Sequence, residues 1–480
     1  ISATQSNIEL SLRATPAASG AGSFAFTLGA GRRGSSLSVK SSGSDALPDA
    51  GTTPALDFSA DSHTLFFQGG VQAALHDYAT LDVSARQESS SLESGSGSEL
   101  YPAVLASIDL ARANPGLQHG TTIDALVLRA GWSRAGNDAT PALLLQSLQA
   151  VPAALVSQIA EPEITTGFEL GGMASMFDRR VSVDLSYYNE RSENLLVPTP
   201  GAFARTGEVT NNGIEAQVGL VPFRMSDAIE WRVGGSFARN TNEVKSLDAV
   251  ATSVWLTNPI GGVSVEARVG SALGAIVGTS YLRDASGQLL LRDGHPLPDS
   301  VTGPRVLATS APNWTAGLSS GLKIWGIDFS VLFDISRGGK IFSASNRAGA
   351  FAGNLAETAF RPDTGLLIAG IDAATGAANT VHVTTEDYYH SLGAIGERWL
   401  YDASFVKLRE ARATIDLPLH ALGLHAQRLR ASLVGRNLAL WTDAPNIDPE
   451  SVLSAAVFGG AELGQLPTTR SVGVQFTLTP

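Results

Sequence analysis

The last run of the chain, residues 470–479, constrains the fold most: Val472, Val474, Phe476 and Leu478 fall on one face, and Ser471, Gly473, Gln475 and Thr477 on the other. Period-two alternation marks a strand with two unlike faces. Such a strand needs a partner, because an open edge invites aggregation. Pairing it with the first strand of a barrel is one way to supply it. An all-β fold, an antiparallel up-and-down β-barrel, answers that need; the strand lengths and the sorting of the links are what make the expected barrel a transmembrane one.

The pattern recurs from the start. Ile8, Leu10 and Leu12 oppose Glu9, Ser11 and Arg13; Phe24, Phe26 and Leu28 follow, then Leu65, Phe67 and Val71, and Leu81 and Val83. Further runs lie near 99–113, 121–134, 163–177, 180–194, 205–221, 229–242, 312–323, 326–337, 401–418 and 426–440. About sixteen strands are expected, several of ten or more residues, where soluble strands average about five or six and bilayer-spanning ones need about nine to eleven. Two runs fit poorly: Val127 and Leu128 adjoin, and the apolar phase slips between Phe405 and Leu417, as a β-bulge would cause.

The links carry a second signal. Long ones cover roughly 42–63, 87–98, 135–162, 195–204, 243–311, 338–400 and 441–469. Tight ones are read at Gly31–Gly34, His76–Tyr78, Phe177–Arg180 and Trp325–Ile327. Short turns at one rim and long loops at the other are the habit of outer-membrane barrels. A one-sided sheet in a soluble protein shows the same alternation, but has no reason to sort its loops. With lipid outside, charged mid-strand residues such as Asp184, Glu215, Gln217, Asp328 and Asp334 belong to the lumen, and Phe329, Val331, Phe333, Val472, Val474 and Phe476 to the lipid.

Composition removes other classes. Fifty glycines and 22 prolines suit strands and turns. A net charge of −12 argues against nucleic acid. The absence of cysteine excludes disulfides and thiolate metal sites. No apolar stretch approaches the length of a transmembrane helix.

Several segments resemble SusC/RagA-type TonB-dependent outer-membrane transporters. They are Ser404–Glu410, Gly435–Leu438 with Trp441, Asn446–Glu450, Pro467–Arg470, Glu161–Glu163, Tyr187–Asn189, Asn211–Glu215 and Leu128–Trp132 with Gly136–Asn137. The resemblance implies a barrel of roughly 22 strands, of which this chain would be the C-terminal portion. The plug domain and the first strands would lie outside it, so the last strand should show a free edge or close on the strand near Ile8–Leu12. It also implies a Gram-negative-type outer membrane with its lipid, a SusD-like surface lipoprotein as lid, and a TonB complex reached through the N-terminal part. The terminus Thr477–Pro480 departs from the pattern of outer-membrane proteins that end on the aromatic itself.

No catalytic set rises above background, and no cofactor, metal or enzyme activity is expected. His420 and His425 share a turn without a third ligand; Asp443, Asp448 and Glu450 lack EF-hand spacing and read as an Asp-Pro turn. Trp255, Tyr281, Tyr388, Tyr389 and Trp399, in or beside the two longest outer links, are the candidate ligand- or lid-contacting residues. The plainer reading makes them loop-core or interfacial aromatics. Trp231, Trp314, Trp325 and Phe329 are expected at lipid or its interface. The function expected is TonB-dependent import of a bulky nutrient such as an oligosaccharide or peptide. Its rivals are a passive porin or adhesin-type barrel and a soluble extracellular all-β glycan-binding protein.

Overall fold

The computed structural model describes residues 2–16, 22–41, 56–91, 98–117, 122–137, 162–199, 202–226, 228–247, 252–257, 259–418, 427–452 and 459–479. The chain divides into two units, Ile1–Ile214 with Val244–Thr252, and Glu215–Glu243 with Ser253–Pro480.

Unit one is an antiparallel meander of β1 (Ser2–Ala14), β2 (Gly22–Ser41), β3 (Leu56–Leu75), β4 (Ala79–Ser90), β5 (Glu99–Asp109), β6 (Ile123–Asn137), β7 (Glu163–Met176) and β8 (Val181–Glu193), paired in chain order. The short β9 (Leu196–Thr199) pairs with the start of β10 (Ala202–Ser226). Strands β10 and β11 (Ile229–Leu247) are divided between the units. Unit two continues with β12 (Trp314–Ile324), β13 (Ile327–Arg337), β14 (Phe405–Leu417), β15 (Arg428–Thr442) and β16 (Ser471–Thr479), again in chain order. Among the described residues β1 pairs with β2 alone and β16 with β15 alone.

The register turns alternation into continuous rows, because residues opposite one another share a face. In unit one Phe26, Val71, Val83, Val104, Trp132 and Phe168 form one row across six strands. Each is 38–45% exposed. In unit two Trp231, Leu322, Phe329, Ala413, Leu433 and Val474 form another. The next row is polar throughout: Glu230, Lys323, Asp328, Thr414, Ser432 and Gln475. Val331 and Phe333 are half-buried, and Val472 and Phe476 are exposed. The wall is one sheet thick in each unit, so its apolar face has no second layer to cover it.

Polar-face charges are paired across strands. Asp184 receives Arg129 at 2.7 Å, Asp328 receives Arg430 at 2.9 Å and Asp334 receives Arg409 at 2.6 Å. Glu215 and Gln217 are exposed on their strand. Leu332 is an apolar exception on the polar parity of β13, opposite Ser319 and Glu410.

Sequence punctuation explains the turns. Trp325 and Gly326 both take positive φ, 47° and 87°, the type I′ geometry that matches strand twist. Phe177, Asp178 and Arg179 do likewise at the β7–β8 turn. Gly31–Gly34, by contrast, is no turn: β2 runs unbroken through it, with Arg32 opposite Ile8. The glycine at 31 serves close approach instead, since a Cβ there would strike the Phe66 ring. The run near 99–113 also divides, because Asp109 ends the strand and caps a short helix, Leu110–Ala113, by accepting from the Ala111 and Arg112 amides. The expected bulge is present: Leu332 pairs Glu410 while Phe333 pairs Leu408, leaving Arg409 unpaired in the ladder. Its partner strand bulges at the same level, with Asn437 at φ 51°. Near the β6 start, the register shifts between Ile123 and Ala125.

Candidate functional site

The long links of unit two fold into a body of their own. Strands Ser264–Arg268, Ala275–Gly278 and Arg305–Thr309 form a small antiparallel sheet. Two short helices join it. Ser343 caps Ala344–Phe351 by accepting from the Asn346 amide at 3.0 Å, and Thr384 caps Thr385–Ser391 by accepting from Asp387 at 3.0 Å. Val265, Ile276, Phe342, Leu392, Ile395 and Trp399 make its core.

The structure separates the five candidate aromatics. Trp399 is 1% exposed, and its indole N–H donates to the Leu392 carbonyl at 3.1 Å. Tyr389 is buried with its hydroxyl donating to the Glu357 carbonyl at 3.0 Å, and it lines a cavity of 160 Å³ with Phe351, Arg361 and Glu386. Tyr388 stands edge-on to Tyr389 at 5.2 Å, and both Tyr388 and Tyr281 pack against the core. These four are brought together, as parts of one loop body. Trp255 is the open one, 47% exposed on the edge strand Ser253–Trp255.

Charge fixes that body in shape. The Tyr281 amide donates to Glu397 at 2.9 Å, and Arg283 donates to the same carboxylate at 2.9 Å while lying 5.4 Å over the Tyr281 ring. Arg398 donates to Glu357 at 2.7 Å and lies 4.8 Å over Trp399. Burial pushes the Tyr281 hydroxyl strongly upward, and the Tyr388, Tyr389 and Tyr401 hydroxyls upward too, so all four stay neutral donors at physiological pH. Burial works against the Arg398 charge, but Tyr401 and Glu357 outweigh it and the cation is held above its ordinary value.

A second fixed point lies where β14 meets the link after β15. Lys407 is 2% exposed, and its Nζ donates to both Asp448 oxygens at 2.7 and 2.8 Å and to Glu450. Arg409, freed by the bulge, donates to Glu450 and to Asp334. Thr468 donates to Asp448 at 2.9 Å. Burial is the largest influence on both link carboxyls and pushes them up. The hydrogen bonds from Lys407 to Asp448, and from Arg409 and Lys407 to Glu450, outweigh it and hold both below the ordinary carboxylate range. The cation that Asp448 and Glu450 hold is therefore the Lys407 ammonium. Sequence alone gives Lys407 no role; its signal is a lysine in mid-strand, two residues before a second cation. His420 and His425 lie outside the described residues.

A one-layer antiparallel sheet with an uncovered apolar face, a charge-paired polar face, tight turns at one rim and a folded loop body at the other defines the wall of a transmembrane β-barrel. The chain belongs to the TonB-dependent receptor-like β-barrel family, whose model matches residues 4–372. The chain is 24% identical over 454 residues to TonB-dependent receptor P26 of Formosa agariphila, covering 82% of this chain and 43% of that one. To TonB-dependent receptor P3 of the same organism it is 23% identical over 420 residues, 76% of this chain and 40% of that. Among solved structures it is similar in fold to the RagAB peptide transporter, with TM-score 0.71 and 16% identity, covering 99% of this chain and 55% of that one. The chain thus spans less than half the length of the curated relatives it matches. The family places it in the outer membrane of a Gram-negative-type bacterium.

Proposed function

We propose that this chain is the C-terminal part of the barrel of an outer-membrane TonB-dependent importer of a bulky nutrient, an oligosaccharide or a peptide. The family match carries the reading, supported by the uncovered apolar rows on the wall. In this account residues 1–480 form a single barrel domain within a longer protein, whose plug and first strands precede them and reach the TonB complex. A SusD-like surface lipoprotein delivers substrate to the loop rim; RagAB, similar in fold, is a peptide transporter. Trp255 and the loop body carrying Tyr281, Tyr388, Tyr389 and Trp399 form the surface that meets lid or ligand, the buried members by holding its shape. The test is uptake by cells expressing the full-length gene on mixed peptides or oligosaccharides as sole nutrient, with TonB present and deleted. Growth that requires both supports active import. Growth without TonB, with ohmic conductance in planar bilayers, identifies a passive pore instead.

A further inference from the structure

The polar face of the unit-two wall carries more arginine than its carboxylates need. Glu230 lies between Arg224 and Arg232, Glu410 between Arg412 and Arg436, and Asp416 between Arg428 and Arg430. Asp328 shares Arg430 at 2.9 Å, and Lys323, opposite Asp328 in the ladder, meets no carboxylate among the described residues. Register puts these groups on one side. Glu230, Lys323 and Asp328 belong to the polar row of the wall, and Arg232, Ser330 and Arg412 to the row two positions further along. Seven cations therefore face four carboxylates between the tight turns and the level of Glu410, a surplus of three positive charges. The chain as a whole has a net charge of −12.

Folding alone does not call for the surplus. One arginine would complete each pair, and the second stays largely in water: Arg232 is 70% exposed and Arg436 59%. Ion pairs so open to solvent add little to stability. A low-dielectric wall lined by one sign of charge instead focuses its field and concentrates the opposite charge in front of it. Further along the same face, toward the long links, a cleft of 460 Å³ is lined by Asn240, Asn242, Thr309 and Asn313. Asn240 and Asn242 continue the parity of Glu230 and Arg232 on β11. The Leu273 amide donates to Asn242 Oδ1 at 2.7 Å and the Ala311 amide to Thr309 Oγ1 at 3.3 Å, which leaves a side-chain NH2 and a hydroxyl to donate. No carboxylate lines the cleft among the described residues. Its volume is that of a small-ligand site.

We propose that the cargo is an acidic oligosaccharide, whose hydroxyls meet the amide-lined cleft and whose carboxylates pass along the arginine-rich face. This rests on the import reading and narrows its cargo. Primary amides donate and accept at once, as sugar hydroxyls do. A peptide rich in Asp and Glu would meet the same cations. The cleft favours the sugar, because three amides and a hydroxyl match a ring of hydroxyls better than a backbone with one donor and one acceptor per residue.

The experiment measures uptake by cells that express the full-length gene with TonB present. The probes are a mixed pool of uronate oligosaccharides, the same pool methyl-esterified, and oligoglutamate. The wild type should take up the acid pool about tenfold faster than the neutral ester, and faster than oligoglutamate. Arg232→Gln with Lys323→Gln and Arg436→Gln removes the surplus, while Arg224 and Arg412 still pair Glu230 and Glu410 and no carboxylate is orphaned. This triple variant should bring the acid down to about the rate of the ester. Asn313→Ala should slow acid and ester alike, about tenfold, and leave their ratio. Gel mobility before and after heating reports that each variant is folded in the outer membrane. Equal uptake of acid and ester by the wild type, faster uptake of oligoglutamate, or full uptake of both sugar pools by Asn313→Ala overturns the proposal. So does a triple variant that keeps the acid-to-ester ratio, whether by losing neither pool or by losing both, since the surplus then serves the fold. Deletion of TonB tests the import reading separately: uptake that persists without TonB at the same acid-to-ester ratio removes active import and leaves this inference standing.

Discussion

Replacing Lys407 by Met tests the clamp between β14 and the link that follows β15. The ammonium meets Asp448 at 2.7 and 2.8 Å, and both side chains of that pair are 2% exposed. Removing one partner of a buried pair leaves the other charge buried and uncompensated, typically at a cost of about 3–5 kcal/mol. Some of that is recovered here, because Thr468 still donates to Asp448 and Arg409 still holds Glu450. We therefore expect the lower end, about 3 kcal/mol, felt by the link more than by the wall. Amide exchange of residues 445–452 should speed up about a hundredfold, with strand amides of β14 and β15 near their original rates. The double variant Lys407→Met with Asp448→Leu removes both charges and should regain a good part of the loss. Exchange that is unchanged in the single variant, or a double variant as loose as the sum of its singles, would refute the reasoning.

Protonation should act on the same clamp. Asp448 and Glu450 are held below their ordinary values, so their contribution is whole above about pH 4–5 and is lost as pH falls through the depressed values; exchange protection of 445–452 should be flat from neutrality to about pH 5 and then collapse. Trp399→Ala empties the centre of the loop body and should cost about 3–5 kcal/mol there, read as protease sensitivity of 338–400 with the wall intact. Val474→Arg places a charge within the apolar row and should destabilise the folded barrel by about 2–4 kcal/mol, measured by urea unfolding in liposomes, whereas Gln475→Arg should be nearly neutral. Trp255→Ala should leave folding unchanged and weaken capture of the lid protein or substrate in a pull-down.

The wall was legible because its physics is local. Alternation in 470–479 or 326–337 states both the strand and its two faces, and the phase slip near Arg409 announced the bulge. Gly31–Gly34 misled because two glycines read as a turn, when one of them makes room for Phe66 from a strand distant in sequence. The loop body was less legible. Its core joins Val265, Phe342 and Trp399, which no periodicity connects, so Trp399 and Tyr389 looked no different in sequence from the exposed Trp255. Lys407 was hidden for a related reason: its partners Asp448 and Glu450 lie some forty residues on, and only the fold brings them within reach.

The most direct test of the membrane wall uses the absence of cysteine from this chain. Single cysteines at Phe329, Leu433 and Val474, and at Asp328, Ser432 and Gln475, are placed in the full-length protein in liposomes and spin-labelled. The first set should be reached by lipid-soluble oxygen and shielded from a water-soluble nickel chelate, and the second set the reverse. Equal access of the chelate to both sets would contradict a wall with lipid on one face.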